Sequence, residues 1–189
     1  MGAVYDFEEE KLIVGVIFHD EEVLRSAMEI LTERFGDIED VCEEFSFSKE
    51  FSTYYDSEIG GESRRRIYSF KKTVPPEMQA DIKEFTNSVE KSFSVDGDRR
   101  INLDPGFINH GRLMLATTKK AGFRIPLKNG IYTELTLFYA RGGWHKLPWS
   151  YRDYQSERVQ DFLTKVRKKY LNQRKEAEKC NKTKINDEK

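Results

Sequence analysis

The chain has 189 residues, of which 38% are hydrophobic, 34% charged and 13% aromatic, and its formal net charge is −1. These values exclude collagen-like, disulfide-scaffold and wholly disordered chains, and the longest apolar run, residues 12–18, is too short to span a bilayer. The charge is unevenly spread: residues 1–60 hold 17 Asp/Glu against 4 Lys/Arg, whereas residues 61–189 carry a basic excess.

Residues 12–18 are continuously apolar, as a strand buried on both faces requires. Asp20 is placed to cap a helix that carries Val23, Leu24, Ala27, Ile30, Leu31 and Phe35 at helical spacing and stops at Gly36. A second extended stretch is predicted over residues 41–51, where Phe45 and Phe47 alternate with polar residues, followed by a loop over 52–63. A third strand follows over 66–74. Pro75 and Pro76 then open a second helix with the stripe Met78, Ile82, Phe85, Val89 and Phe93. Asp96 and Gly97 turn the chain into a fourth strand, residues 99–103. The order β-α-β-β-α-β predicts an α+β fold with a ferredoxin-like antiparallel core. Residues 104–106 read as a turn and 107–120 as a short helix. A hairpin is predicted around Asn129 and Gly130, with Leu127 facing Tyr132 and Ile125 facing Glu134. A last helix from Ser156 carries Val159, Phe162, Leu163, Val166 and Tyr170. Residues 1–171 thus form one expected domain and 172–189 a frayed, basic polar tail.

Special residues concentrate between Arg99 and Tyr154. Asp104, ahead of a helix start and beside Arg99 and Arg100, suggests free amides able to hold an anion; the alternative is a plain turn capped by Asp104. Glu134 falls on a mostly apolar face and needs a partner. Arg99, Arg100, Arg124 or Arg141 could form a structural ion pair with it, or it is a carboxylate of raised pKa suited to acid–base work. His19, His110 and His145 show no ligand spacing, so no metal is assigned, although Asp104, His110, Glu134 and His145 are a conceivable set in space, and the cofactor is unknown. No glycine-rich phosphate loop occurs. Residues 64–72 interleave bases with Tyr68 and Phe70, as an RNA-stacking sheet would, but the glycines of that signature are missing, and burial of both aromatics in the core is the expectation. Cys42 and Cys180 form no framework, which suits a reducing cytoplasm, and Cys42 reads as a core residue.

The strings KLIVGVIF (11–18), RRINLDPG (99–106), LATTK (115–119), GIYTELTL (130–137) and LPWSYRDY (147–154) together resemble an uncharacterised prokaryotic family, catalogued as domain of unknown function 4416. The likeness covers residues 10–156 and departs from the family's last motif, which has proline where this chain has Arg152. The resemblance implies a small stand-alone bacterial protein. It also implies that Asp104, Thr118, Lys119, Glu134, Trp149, Tyr151, Asp153 and Tyr154 belong to the family's polar motifs. The expected site is a pocket for an anionic, phosphate- or nucleotide-like small molecule. Arg99, Arg100 and Lys119 would neutralise charge in it, with Thr118 and Arg141 beside them. Asp104 and Glu134 would do proton or metal work, and Trp149 or Tyr151 would stack. The other expectation is a nucleic-acid-binding or protein-interaction module using the basic middle and tail. A homodimer is compatible with either, and no membrane partner is expected.

Overall fold

A computed structural model describes residue 2 and residues 4–187, without the side chains of residue 178 and residues 180–187. It is a mixed α+β fold. The first strand, β1 (Glu10–Phe18), leads into α1 (Glu21–Phe35), and the Asp20 side chain accepts from the backbone N–H groups of Glu22 and Val23. The chain continues through β2 (Ile38–Val41), β3 (Phe45–Ser46), the short helices α2 (Phe47–Glu50) and α3 (Asp56–Ile59), and β4 (Arg64–Val74). A 3₁₀ turn, Pro76–Met78, precedes α4 (Gln79–Ser92). Strands β5 (Ile101–Ile108), β6 (Arg112–Thr117), β7 (Ile125–Pro126), β8 (Tyr132–Ala140) and β9 (Gly143–Lys146) follow. A further 3₁₀ turn, Asp153–Gln155, leads into α5 (Glu157–Asp187).

The strands form one sheet in the order β2-β4-β1-β5-β6-β8-β7, every recorded pairing antiparallel, with β3 also on β4 and β9 also on β8. Alternation along β1 feeds two cores. Leu12, Val14, Val16 and Phe18 pack with α1 and α4; Ile13 and Ile17 pack with α5 and the Phe45–Phe47 segment. Tyr68 and Phe70 are buried in the first of these, as expected.

Several expectations are corrected. Asp104, Pro105 and Gly106 are not a turn; they lie inside β5, opposite Gly15, Val14 and Ile13. No helix spans 107–120: Asn109 Oδ1 accepts from the N–H groups of Gly111 and Arg112, turning β5 into β6. Leu113 and Leu115 are therefore buried with the two-residue period of a strand. Phe47 starts a helix rather than continuing a strand, because Ser46 Oγ caps it by accepting from Lys49 N–H. In the hairpin Asn129 and Gly130 do take positive φ, 54° and 77°. Its register differs, however: Leu127 N–H donates to the Ile131 carbonyl, and Pro126 pairs with Tyr132 and Ile125 with Thr133. Among the described side chains the buried stripe of α5 ends at Tyr170, and the backbone helix itself runs through Asp187, over residues 172–187 of the polar tail. Residues 188 and 189 of that tail lie outside the described residues. Among the described residues no helix is long and apolar enough to cross a membrane.

Candidate functional site

The sheet divides where β5 meets β6. Their ladder holds only Gly106↔Leu115, Phe107↔Met114 and Ile108↔Leu113. Beyond it β5 stays with β1, while β6 follows β8 as far as Thr117↔Tyr132. Successive residues of a strand turn their polar groups to opposite neighbours. Leu103 faces away from β1: its N–H donates to Glu90 Oε1 (2.6 Å) and its carbonyl accepts from Lys83 Nζ (2.7 Å), both on α4. Pro105 presents the same edge two residues later and has no N–H to give a β6 partner. Proline thus ends the ladder, and side chains of α4 satisfy the backbone that the missing strand would have paired.

A cavity of about 530 Å³ opens at this division. Its lining draws Asn102 and Asp104 from β5, Leu115 and Thr117 from β6, Lys83, Asn87 and Glu90 from α4, and Arg65 from β4. Tyr54 and Tyr55 come from the loop before α3, and Tyr151 and Arg152 from the segment before α5. Asp56 fixes the first of these segments: it accepts from Ser48 Oγ (2.5 Å) and from the N–H (3.1 Å) and Oγ (2.7 Å) of Ser63. Burial raises the Asp56 pKa, but the hydrogen bonds from Ser48 and Ser63 outweigh it and hold the pKa below the usual carboxylate range.

The floor is an ion cluster around the buried Arg65. Its Nε lies 3.1 Å from Asp153 Oδ2, its Nη2 donates to the Tyr154 hydroxyl (3.0 Å), and its Nη1 donates to Asp104 Oδ2 (3.4 Å). Burial penalises the guanidinium, yet Asp153, Tyr154 and Asp104 outweigh that and hold the proton more firmly than in free arginine. Burial raises Asp153 despite Arg65, and it raises Tyr154 as well. Gly15 makes room for this guanidinium: a Cβ there would stand 2.4 Å from Arg65 Nη2 and 2.9 Å from the Tyr154 hydroxyl. Asp104 also receives Asn102 Nδ2 on Oδ2 (2.8 Å) and faces Lys83 Nζ from 3.9 Å. Its negative charge adds to the raised pKa values of Tyr55, Glu90, Glu134, Tyr151, Asp153 and Tyr154, in each case behind the larger effect of burial.

The expected site residues divide into those that reach the cavity and those that do not. Asp104, Arg99, Thr118, Lys119 and Tyr151 line it. Arg99 is already engaged, because its Nε and Nη2 donate to the two oxygens of Glu58 (2.5 and 2.9 Å) and its Nη1 to Asn102 Oδ1 (2.9 Å). Lys119 is exposed, and its ammonium sits 5.1 Å from the centre of the Tyr54 ring. Thr117 Oγ1 fixes its backbone by accepting from Lys119 N–H (3.1 Å). Outside the lining, Arg100 reaches beneath Gly60, Arg141 occupies the β8–β9 turn with a φ of 51°, and Trp149 stacks on Phe123 with ring centres 4.8 Å apart. The Trp149 Nε1 donates to the Leu135 carbonyl (2.9 Å).

Glu134 is also outside the lining and is buried. Its Oε2 accepts from Arg124 Nε (2.7 Å), and Arg124 Nη2 continues to the Tyr151 hydroxyl (3.0 Å) on the cavity wall. Burial raises the Glu134 pKa against the effect of Arg124, and the Tyr151 phenol is pushed up to about 12, first by burial and then by Glu134 and Asp104. Sequence reading passed over Arg65, Lys83, Glu90, Tyr55 and Arg152. Two signals were present: a glycine at the centre of the apolar run 12–18, and an arginine at the middle of the 64–66 triplet, which alternation turns to the opposite face from its neighbours. Arg64 and Arg66 go the other way and pair with Glu21 and Glu44. Cys42 is buried, and burial pushes its thiol up to about 11. Among the described residues no group of three or more His, Cys, Asp or Glu could hold a metal ion.

Comparison with curated proteins and with solved structures finds no match. A family model described as Domain of unknown function (DUF4416) matches residues 8–170, a span that takes in every residue lining the cavity. The chain belongs to this DUF4416 family.

Proposed function

We propose that the cavity at the β5–β6 division binds a small anionic molecule of the phosphate class. The carrying observation is an imbalance of cations. Arg65, Lys83 and Arg99 face Asp153, Asp104, Glu90 and Glu58, whereas Lys119 and Arg152, both exposed on the lining, have no carboxylate partner among the described residues. Cations left unpaired at the rim of a concave, aromatic-walled site attract an anion at little desolvation cost. Asp104 is the carboxylate we assign to ligand contact. Glu134 acts through Arg124 on the position of Tyr151. The strand order β2-β4-β1-β5 supports a ferredoxin-like reading of the part that carries this site, although that fold hosts many unrelated functions.

A thermal-shift screen tests the proposal with inorganic phosphate, sugar phosphates, nucleotides and a short single-stranded RNA, each at two salt concentrations. A ligand at 100 times its Kd stabilises the fold by about 2.7 kcal/mol, a shift of several degrees. A shift with a small phosphate compound that persists at the higher salt is expected. A shift with RNA alone that vanishes as salt rises would instead favour a nucleic-acid-binding module.

A further inference from the structure

Resting on that reading, we infer that the anion is a phosphorylated sugar or polyol, with its phosphate on Lys119 and Arg152 and a hydroxyl donating to Asp104 Oδ1. The inference comes from the hydrogen-bonding capacity that the cavity leaves unused. Three carboxylates line it. Glu90 spends one oxygen on Leu103 N–H (2.6 Å) and the other on Arg99 Nη1 (3.4 Å), and Asp153 sets Oδ2 against Arg65. Their side chains are 7% and 5% exposed, against 28% for Asp104. Asp104 Oδ2 is taken by Asn102 and Arg65, but among the described residues Oδ1 has only the Lys83 ammonium at 3.9 Å, beyond hydrogen-bond length. Asp104 Oδ1 is therefore the strong acceptor among the lining carboxylates that a ligand can reach.

The chemistry of its surroundings selects the donor. Arg65 and Lys83 already supply two positive charges to Asp104, so a ligand ammonium would meet repulsion there, and a second phosphate would meet the carboxylate itself. A neutral hydroxyl suffers neither. The rest of the inventory is rich in donors: Asn87, Tyr55 and Thr118 have no side-chain hydrogen bond among the described residues. Tyr151 accepts from Arg124 and so keeps its own O–H proton to give. Such a lining suits a molecule carrying several oxygens. The volume of about 530 Å³ lies within the range of small-ligand sites.

The test is calorimetric titration of the full chain with glucose 6-phosphate, ribose 5-phosphate and butyl phosphate, the last carrying the anion without hydroxyls. A hydrogen bond to a charged acceptor predicts that at least one sugar phosphate binds about tenfold or more tighter than butyl phosphate. In Asp104→Asn that ratio falls to about one. Equal affinities of all three compounds for the unmodified protein would overturn the inference while leaving the anion site standing. If none of the three binds, the anion reading fails and takes the inference with it. Should Asp104→Asn not fold, the ratio measured on the unmodified protein decides alone.

Discussion

The two ends of the cavity are built on opposite rules. At the floor, the buried Arg65 has its charge met by Asp153 and Asp104, and its Nη2 donates to the Tyr154 hydroxyl. At the rim, Lys119 and Arg152 are exposed and have no carboxylate partner among the described residues. A buried cation without partners would unfold the site, whereas an exposed one costs almost nothing to keep. On the proposed reading Arg65 and Asp153 of the floor serve stability, the rim cations serve binding, and Asp104 stands between the two, so substitutions at Arg65 and at the rim should separate along that line.

The sharpest break is Arg65→Met. It leaves Asp153 buried without its cation, and a loss of about 3–5 kcal/mol is expected in denaturant unfolding. Next is Arg124→Ala, which strands the buried Glu134 and should cost about 3 kcal/mol at neutral pH. Burial already raises the Glu134 pKa, and removing Arg124 raises it further. A carboxyl whose folded pKa exceeds its unfolded value of about 4.3 stabilises fully below that value and loses the contribution as pH rises through the folded pKa. The penalty of Arg124→Ala should therefore shrink as unfolding is followed from pH 7 down towards pH 4. A penalty that grows on acidification would contradict the assignment. Gly15→Ala sets a Cβ 2.4 Å from Arg65 Nη2, and a cost of about 2 kcal/mol is expected, read as a lowered unfolding midpoint. The smallest effect on stability belongs to Lys119→Ala with Arg152→Ala, within about 0.5 kcal/mol of the unmodified protein. That double variant should nevertheless lose the thermal shift given by phosphate compounds.

The same contrast governs what could be read from the sequence. Helices α1, α4 and α5 were legible because each carries a one-sided apolar stripe, and β1 because its residues 12–18 are continuously apolar. The course of residues 104–117 was not, since Asp-Pro-Gly carries a strong local preference for a turn. What overrides that preference is tertiary: Pro105 faces the side of β5 that has no strand to pair with, so its missing N–H is harmless there. Asp104, Lys119 and Tyr151, which polar clustering and the family resemblance singled out, line the cavity. Arg65 escaped because its role depends on a glycine fifty positions earlier leaving space across a strand pair. Glu134 was legible as a buried carboxylate needing an arginine, and the register of the hairpin then decided that Arg124 is that arginine.

The central claim, that the rim of this cavity is an anion site, is tested most directly by following backbone amide resonances during a titration with inorganic phosphate. The account predicts saturable shifts centred on residues 117–119 and 151–153, absent in the Lys119→Ala and Arg152→Ala double variant. Shifts confined to other parts of the sheet, or unchanged shifts in the double variant, would contradict it.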